Sequence, residues 1–203
     1  MKRGHTKDME RLKKQIDFIV EIDKLKYIFR RSALIGDRRN ENSAEHSWHL
    51  GVMAMLLKEY VECSNLDLLR VMKMLLIHDV VEIDAGDTFA YDEHGYEDKE
   101  EREIKAAQRI FNILPPDQAQ EIWDLWREFE DRQTPEARYA ASLDRLQPLL
   151  LNYYTEGHTW KLPGVNSQKV YKRMEPIKES TPKLWKFVVE IIEDSIEKGY
   201  LKR

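Results

Sequence analysis

The stretch LLIHDVVEIDAGD, from Leu75 to Asp87, sets a histidine beside an aspartate at the end of an apolar run and follows them with Glu82, Asp84 and Asp87. Burying His78 or Asp79 without a partner would cost on the order of a few kcal/mol, so something in the fold has to compensate them. A metal ion would do so. His46 raises the same question: on a helix turning about 100° per residue it lies within the stripe formed by Leu50 (about 40°), Met53 (about 340°) and Leu57 (about 20°), and should point inward. Asp144 is a third intruder, set in AASLDRLQPLLLNYY among Ala140, Leu143, Leu150 and Leu151. Pro148, four residues on, offers no N–H to the Asp144 carbonyl and is expected to bend the helix there. Two imidazoles and two carboxylates are a nitrogen and oxygen set suited to a divalent transition metal with positions left open for water. Taken singly, His46 also reads as a core histidine on a backbone carbonyl and Asp144 as an ion pair with Arg145. Spacing alone does not show that the four meet.

The elements that must position these residues read as helices. Eight glycines and seven prolines punctuate the chain, and the apolar residues between them recur at three- and four-residue spacing, which makes the expected fold all-α. Ile16, Ile19, Val20, Leu25, Ile28 and Phe29 mark a first helix, stopping near the turn-rich RRSALIGDRRNEN. Ser43 is the expected N-cap of a second, striped by Leu50, Met53, Leu57 and Val61. A third, LDLLRVMKMLLIHD, is apolar on nearly all sides and is expected to be central. A loop with Gly86, Asp87 and Tyr91 should follow Asp79. The charged DEHGYEDKEEREIKAAQRIF leads into a fourth helix as a solvated face, and LPPDQAQ starts a fifth. A sixth is capped by Thr134 with Pro135 at its first position and runs to Gly157. After Pro163 and Gly164, two more follow, around SQKVYKRMEPIKE and from Thr181 to near Gly199. No repeat or linker divides the chain, so one domain is expected over residues 1–203, with a site core at about 30–157 and C-terminal helices at about 166–198.

Composition narrows the function classes. With 33 Lys and Arg against 37 Asp and Glu, the chain lacks the basicity of a general nucleic-acid binder, and a small ligand is the better expectation. MKRGHTKDMERLKKQ does not read as a signal peptide, and no stretch approaches a membrane span. One cysteine, Cys63, forms no intrachain disulfide and excludes Cys-rich zinc sites, so a cytoplasmic protein is expected. Phosphate-loop, dinucleotide, hydrolase-elbow and zincin motifs are missing. No histidine has Glu three residues before it, which argues against a ferritin-like di-iron design.

AEHSWHL, IHDVVEIDAGD and SLDRLQPLL resemble the three metal-binding segments of the HD-domain phosphohydrolase superfamily, in particular its bacterial 5'-deoxynucleotidase and eukaryotic HD-domain-containing branch. The resemblance runs from Arg30 to Tyr154. It implies an all-α HD-domain bundle with the metal site between central helices, and places the ligands on His46, His78, Asp79 and Asp144. It also implies one divalent ion, among Mn, Co, Fe, Zn and Mg, that carries the hydrolytic water. The family's following Glu and Asp fall on Glu82 and Asp87, and an arginine ahead of the first ligand falls on Arg31.

Phosphate ester hydrolysis needs a nucleophilic water, charge neutralisation at phosphorus and a proton for the leaving oxygen. In that scheme Arg31 clamps the phosphate with Arg30, Arg38 or Arg39 as helpers, Glu82 orients the water or accepts its proton, and Asp87 protonates the leaving oxygen. On residue type alone, the arginines also read as a solvated turn and the two carboxylates as surface groups or caps. His49, at the edge of the stripe, reads as packing. Ser32 stands where the 5'-deoxynucleotidases carry tryptophan, which bears on how the sugar is read. The expected activity is removal of the 5'-phosphate from nucleoside monophosphates, 2'-deoxynucleotides among them. The alternatives are an HD-type phosphodiesterase or pyrophosphohydrolase and a nucleotide-binding regulatory module. The resemblance also implies a homodimer; Trp123, Trp126, Tyr153, Tyr154 and Trp160 read, by residue type, as core or subunit contact rather than as base-stacking groups.

Overall fold

A computed structural model describes residues 2–37 and 39–203, with side chains from Lys7 onward; Arg38, one expected helper of Arg31, lies outside the described residues. In chain order the elements are α1 (Lys2–Ile22), a 3-10 turn (Asp23–Tyr27), strands β1 (Phe29–Ala33) and β2 (Asn40–Asn42), then α2 (Ser43–Leu57) and α3 (Leu68–Ile77). A second 3-10 turn (His78–Val81) joins α3 to α4 (Glu82–Ala85), and α5 (Lys99–Phe111), α6 (Pro116–Asp131), α7 (Pro135–Tyr154), α8 (Ser167–Ser180) and α9 (Pro182–Glu197) complete the chain. The helical class holds.

The first expected helix is corrected at both ends. It starts at Lys2 and stops at Ile22, so Leu25 falls in the 3-10 turn and Phe29 in β1. Ile16, Ile19 and Val20 are exposed, and it is Phe18 and Leu25 that enter the core. RRSALIGDRRNEN is not a turn alone but a short antiparallel ribbon, with Phe29 opposite Asn42 and Ala33 opposite Asn40. The Leu34 amide donates to the Arg39 carbonyl at 2.8 Å inside it.

The second helix is capped by Asn42, not Ser43. The Asn42 side chain accepts from the Glu45 amide at 2.9 Å and the Glu45 carboxylate accepts from the Asn42 amide at 3.1 Å, a reciprocal capping box. Ser43 is thereby left free to face inward. Leu50 and Met53 are buried on α2 as expected, but Val61 lies beyond its end. The third helix is apolar on nearly all sides in sequence yet two-faced in space: Val71, Met74 and Leu75 are buried, while Leu69 and Leu76 are exposed. The backbone after Asp79 stays helical through Ala85, and the loop begins at Gly86, whose φ of 76° suits glycine.

α7 starts as expected, with the Thr134 hydroxyl accepting from the Ala137 amide at 3.2 Å. It continues through Pro148, whose carbonyl accepts from the Asn152 side chain at 3.0 Å, and ends at Tyr154. Gly157 follows with φ 77°, and a Cβ there would meet the Tyr200 carbonyl oxygen at 2.1 Å, so only glycine admits this approach of the C-terminal segment. Two apolar clusters result. One joins α2, α3, α7, α8 and α9 around Leu50, Leu75, Leu143 and Trp160; the other joins α5, α6 and the His78–Val81 turn around Val81, Ile110, Phe111 and Trp126. The His-Asp pair sits where the chain passes from one cluster to the other. Among the described residues, no helix is long and apolar enough to cross a membrane.

Candidate metal centre

Helical period, a capping box and a 3-10 turn bring three distant segments together. Asn42 starts α2 so that His46, one turn in, faces the core and is fully buried. The end of α3 turns into 3-10 geometry at His78, where the ring Nδ1 lies 2.9 Å from the Leu75 carbonyl oxygen. α7 presents Asp144 to both rings: its Oδ1 is 3.0 Å from His46 Nε2 and 3.7 Å from His78 Nε2. Asp79 Oδ1 lies 3.1 Å from His78 Nε2. One ligand atom each from His46, His78 and Asp79 fits within 4.8 Å of the others. All four expected ligands are thus in one place.

The partners of the rings fix which nitrogen carries hydrogen. The Gln147 amide nitrogen donates to Glu41 Oε1 at 2.6 Å, so its oxygen, 3.0 Å from His46 Nδ1, accepts from that nitrogen. His78 Nδ1 in the same way donates to a carbonyl, the Leu75 oxygen. Both Nε2 lone pairs then point at carboxylate oxygens, and the buried His78 Nε2 has no hydrogen-bond partner. In the neutral rings these lone pairs face carboxylate acceptors, and a cation between them, a proton or a metal ion, relieves that opposition. A divalent ion fits this donor set in number, type and orientation.

The field in the site favours positive charge. Burial and Arg30 press His46 toward the neutral form, but Asp144, Glu41 and Asp79 outweigh them and raise its pKa. Burial also opposes charge on His78, and Asp79 and Asp144 outweigh it. Asp144 shows the converse: burial would raise it, yet the two imidazoles hold it well below the usual carboxylate range. A proton and a metal ion would compete for the same lone pairs.

Glu82 and Asp87 also arrive here. Glu82 is buried and its Oε2 accepts from the Ser43 hydroxyl at 2.6 Å, the contact that capping by Asn42 makes available. Burial first, then the Asp79 charge, push its pKa well above the ordinary glutamate value, against the pull of Arg30. Burial likewise raises Asp87, again against Arg30. Both line a cavity of about 1070 Å³ together with His78, Asp79 and Asp144.

Arg31 is not brought to that cavity. Along β1 alternate side chains face opposite ways, so Arg30 turns inward and donates to Asp79 Oδ2 at 2.9 Å, while Arg31 is exposed with its guanidinium 5.5 Å from the Phe89 ring centroid. Arg31 and Ser32 line a separate, smaller cavity of about 50 Å³ that shares Arg30 and Asp87 with the large one. Arg39 pairs with Glu45 at 2.6 Å. The charged face expected ahead of α5 is interrupted: Glu103 is buried, pairs with Lys99 at 2.6 Å and lines the large cavity.

Residue reading passed over Glu41 and Gln147. Gln147 was within reach, being a polar residue three after Asp144 on a helix that otherwise buries itself, and therefore on the same face. Glu41, only 1% exposed, lies 3.7 Å from Arg30 Nε. Its burial follows from β2, which the helical reading did not contain.

The HD domain family profile matches residues 22–185. Human 5'-deoxynucleotidase HDDC2 is 32% identical over 113 residues, covering 56% of this chain and 53% of the relative. The Dictyostelium discoideum protein of the same name is 32% identical over 120 residues, covering 57% and 63%. The chain therefore spans little more than half the length of these curated relatives. A crystal structure from Magnetospirillum magnetotacticum, described as a "predicted metal-dependent phosphohydrolase", superposes with a TM-score of 0.91 at 52% identity over 96% of this chain and 97% of that one.

Proposed function

Because the chain belongs to the HD domain family, we propose that it is a metal-dependent phosphohydrolase that removes the 5'-phosphate from nucleoside monophosphates, 2'-deoxynucleotides foremost. The observation that carries this reading is the meeting of two imidazole lone pairs and two carboxylates, one nitrogen left without a partner, at the wall of a cavity large enough for a nucleotide. The names of the curated relatives and of the Magnetospirillum structure support it.

In this reading His46, His78, Asp79 and Asp144 hold the ion. When bound, a divalent ion supplies charge neutralisation at phosphorus and an acidified water. The chain's own residues do the rest. Arg30 holds the Asp79 carboxylate in place and adds positive charge beside the phosphate, with Arg31 as the outer arginine at the mouth of the smaller cavity. Glu82 orients the attacking water and takes its proton, and Asp87 delivers one to the leaving oxygen. Glu41 and Gln147 fix the His46 ring. Replacing Gln147 with Leu is expected to weaken metal binding by about 10- to 100-fold, read by calorimetric titration; unchanged affinity would remove Gln147 from this role.

The chain is read as one domain over residues 1–203, working in the cytoplasm as a homodimer. Supporting the dimer is an exposed apolar stripe of Met9, Leu12, Ile16, Ile19 and Val20 along α1. The substrate reading is tested by phosphate release from ribo- and 2'-deoxyribonucleoside monophosphates, triphosphates and cyclic nucleotides. Release from monophosphates alone is expected. Release from cyclic nucleotides would move the assignment to a phosphodiesterase, and silence across the panel to a binding module.

A further inference from the structure

We infer that Arg132, Arg145 and Arg173 form an anion subsite beside the metal centre, and that the substrate class is an organic phosphate carrying a second phosphoryl group. The inference rests on the phosphohydrolase reading and extends its substrate from the nucleoside 5'-monophosphate to a nucleotide that also bears a 3'-phosphate. All three guanidinium-bearing side chains line the large cavity, from three different elements. Arg145 follows Asp144 on α7 and is buried; its Nη1 donates to the Ala141 carbonyl at 2.7 Å and lies 3.6 Å from Asp144 Oδ2. The carboxylate nearest to it is thus the one whose other oxygen faces His46. Arg132 closes α6 in left-handed backbone, φ 52°, a conformation side chains rarely adopt and that costs about 1 kcal/mol or more. Its Nε is buried without a hydrogen-bond partner. Arg173 reaches in from α8.

Most other cations of the same wall are paired; Lys172, like Arg132 and Arg173, has no ion pair among the described residues. Lys99 pairs with Glu103 at 2.6 Å, Arg127 with Asp131 at 3.2 Å and Lys169 with Glu93 at 2.9 Å. Neither Arg132 nor Arg173 makes an ion pair among the described residues, although Glu130, Glu175 and Glu179 line the same cavity. Arg145 feels both as repelling charges. Like charges converging on a partly desolvated space are stabilised by an anion between them, and planar guanidiniums suit the oxygens of a phosphoryl group. The phosphate to be cleaved belongs at the imidazoles and Asp79. Arg145, on the far oxygen of Asp144 from His46, with Arg132 and Arg173 lining the same cavity, serves a second phosphoryl group on the same molecule.

The test is calorimetric binding of a nucleoside 5'-monophosphate and the matching 3',5'-bisphosphate to the full chain after metal removal, so that no turnover occurs. Wild type is expected to bind the bisphosphate about tenfold more tightly or better. The ratio should fall toward one in R173Q and in R132Q/R173Q, with folding checked by thermal melting. R173Q alone replaces a half-buried residue without an ion pair and keeps the test open if the double variant fails to fold. Equal affinities in wild type, no binding of the bisphosphate, or a ratio unchanged in R173Q would overturn the inference. Bisphosphate preference without phosphate release from any nucleotide would instead fail the phosphohydrolase reading, and monophosphate turnover without preference would fail the subsite alone.

Discussion

Asp79→Ala is expected to lower kcat/KM for nucleoside monophosphates by about a thousandfold or more and to remove bound metal in the same step. The magnitude follows from several kcal/mol of transition-state stabilisation by a bound ion, at about 1.4 kcal/mol per tenfold. Asp79 does two things at once: Oδ1 stands 3.1 Å from the unpartnered His78 nitrogen, and Oδ2 accepts from Arg30 at 2.9 Å. Alanine takes away a proposed ligand and leaves Arg30 with the more distant Glu41 at 3.7 Å. The helices around it are held by apolar clusters that do not include Asp79, so circular dichroism should be unchanged while metal content and phosphate release are lost. Retained activity in this variant would remove the His-Asp pair from the centre.

Glu82→Gln separates proton handling from metal holding. The amide keeps an oxygen to accept from the Ser43 hydroxyl, now 2.6 Å from the Glu82 carboxylate, so neither fold nor metal content should change. Turnover should fall by about 10²- to 10⁴-fold, the usual contribution of a positioned acid or base. Glu82 is placed for that work by its position beside Asp79 and the Ser43 hydroxyl, where burial first and then the Asp79 charge raise its pKa. A drop of less than twofold would assign the proton to another group. Loss of metal together with activity would instead make Glu82 a ligand.

Much of this was readable from residues. His46 sits within an apolar stripe, so helical period alone turns it inward, and Asp144 interrupts a helix that buries nearly every neighbour. Thr134 with Pro135, and the Pro115–Pro116 break, mark helix starts that the fold keeps. What was not readable is tertiary or depends on a missed strand. β1 has five residues, two of them arginines, and carries no alternation that sequence could distinguish from a turn. Without it, Arg30 and Arg31 are equivalent candidates; with it, they face opposite ways. Asn42 and Ser43 both suit an N-cap, and the glutamate three residues after Asn42 was the cue that decides between them. Nothing local tells that positions 46, 78 and 144 converge; that follows from how α2, α3 and α7 pack.

The most direct test of a metal-dependent phosphohydrolase centred on these four residues is phosphate release from a 2'-deoxynucleoside 5'-monophosphate. It is measured on chelator-treated protein before and after Mn²⁺, Co²⁺ or Mg²⁺ is returned. No release before addition and release restored after it are expected. Release that continues undiminished without metal would contradict the account.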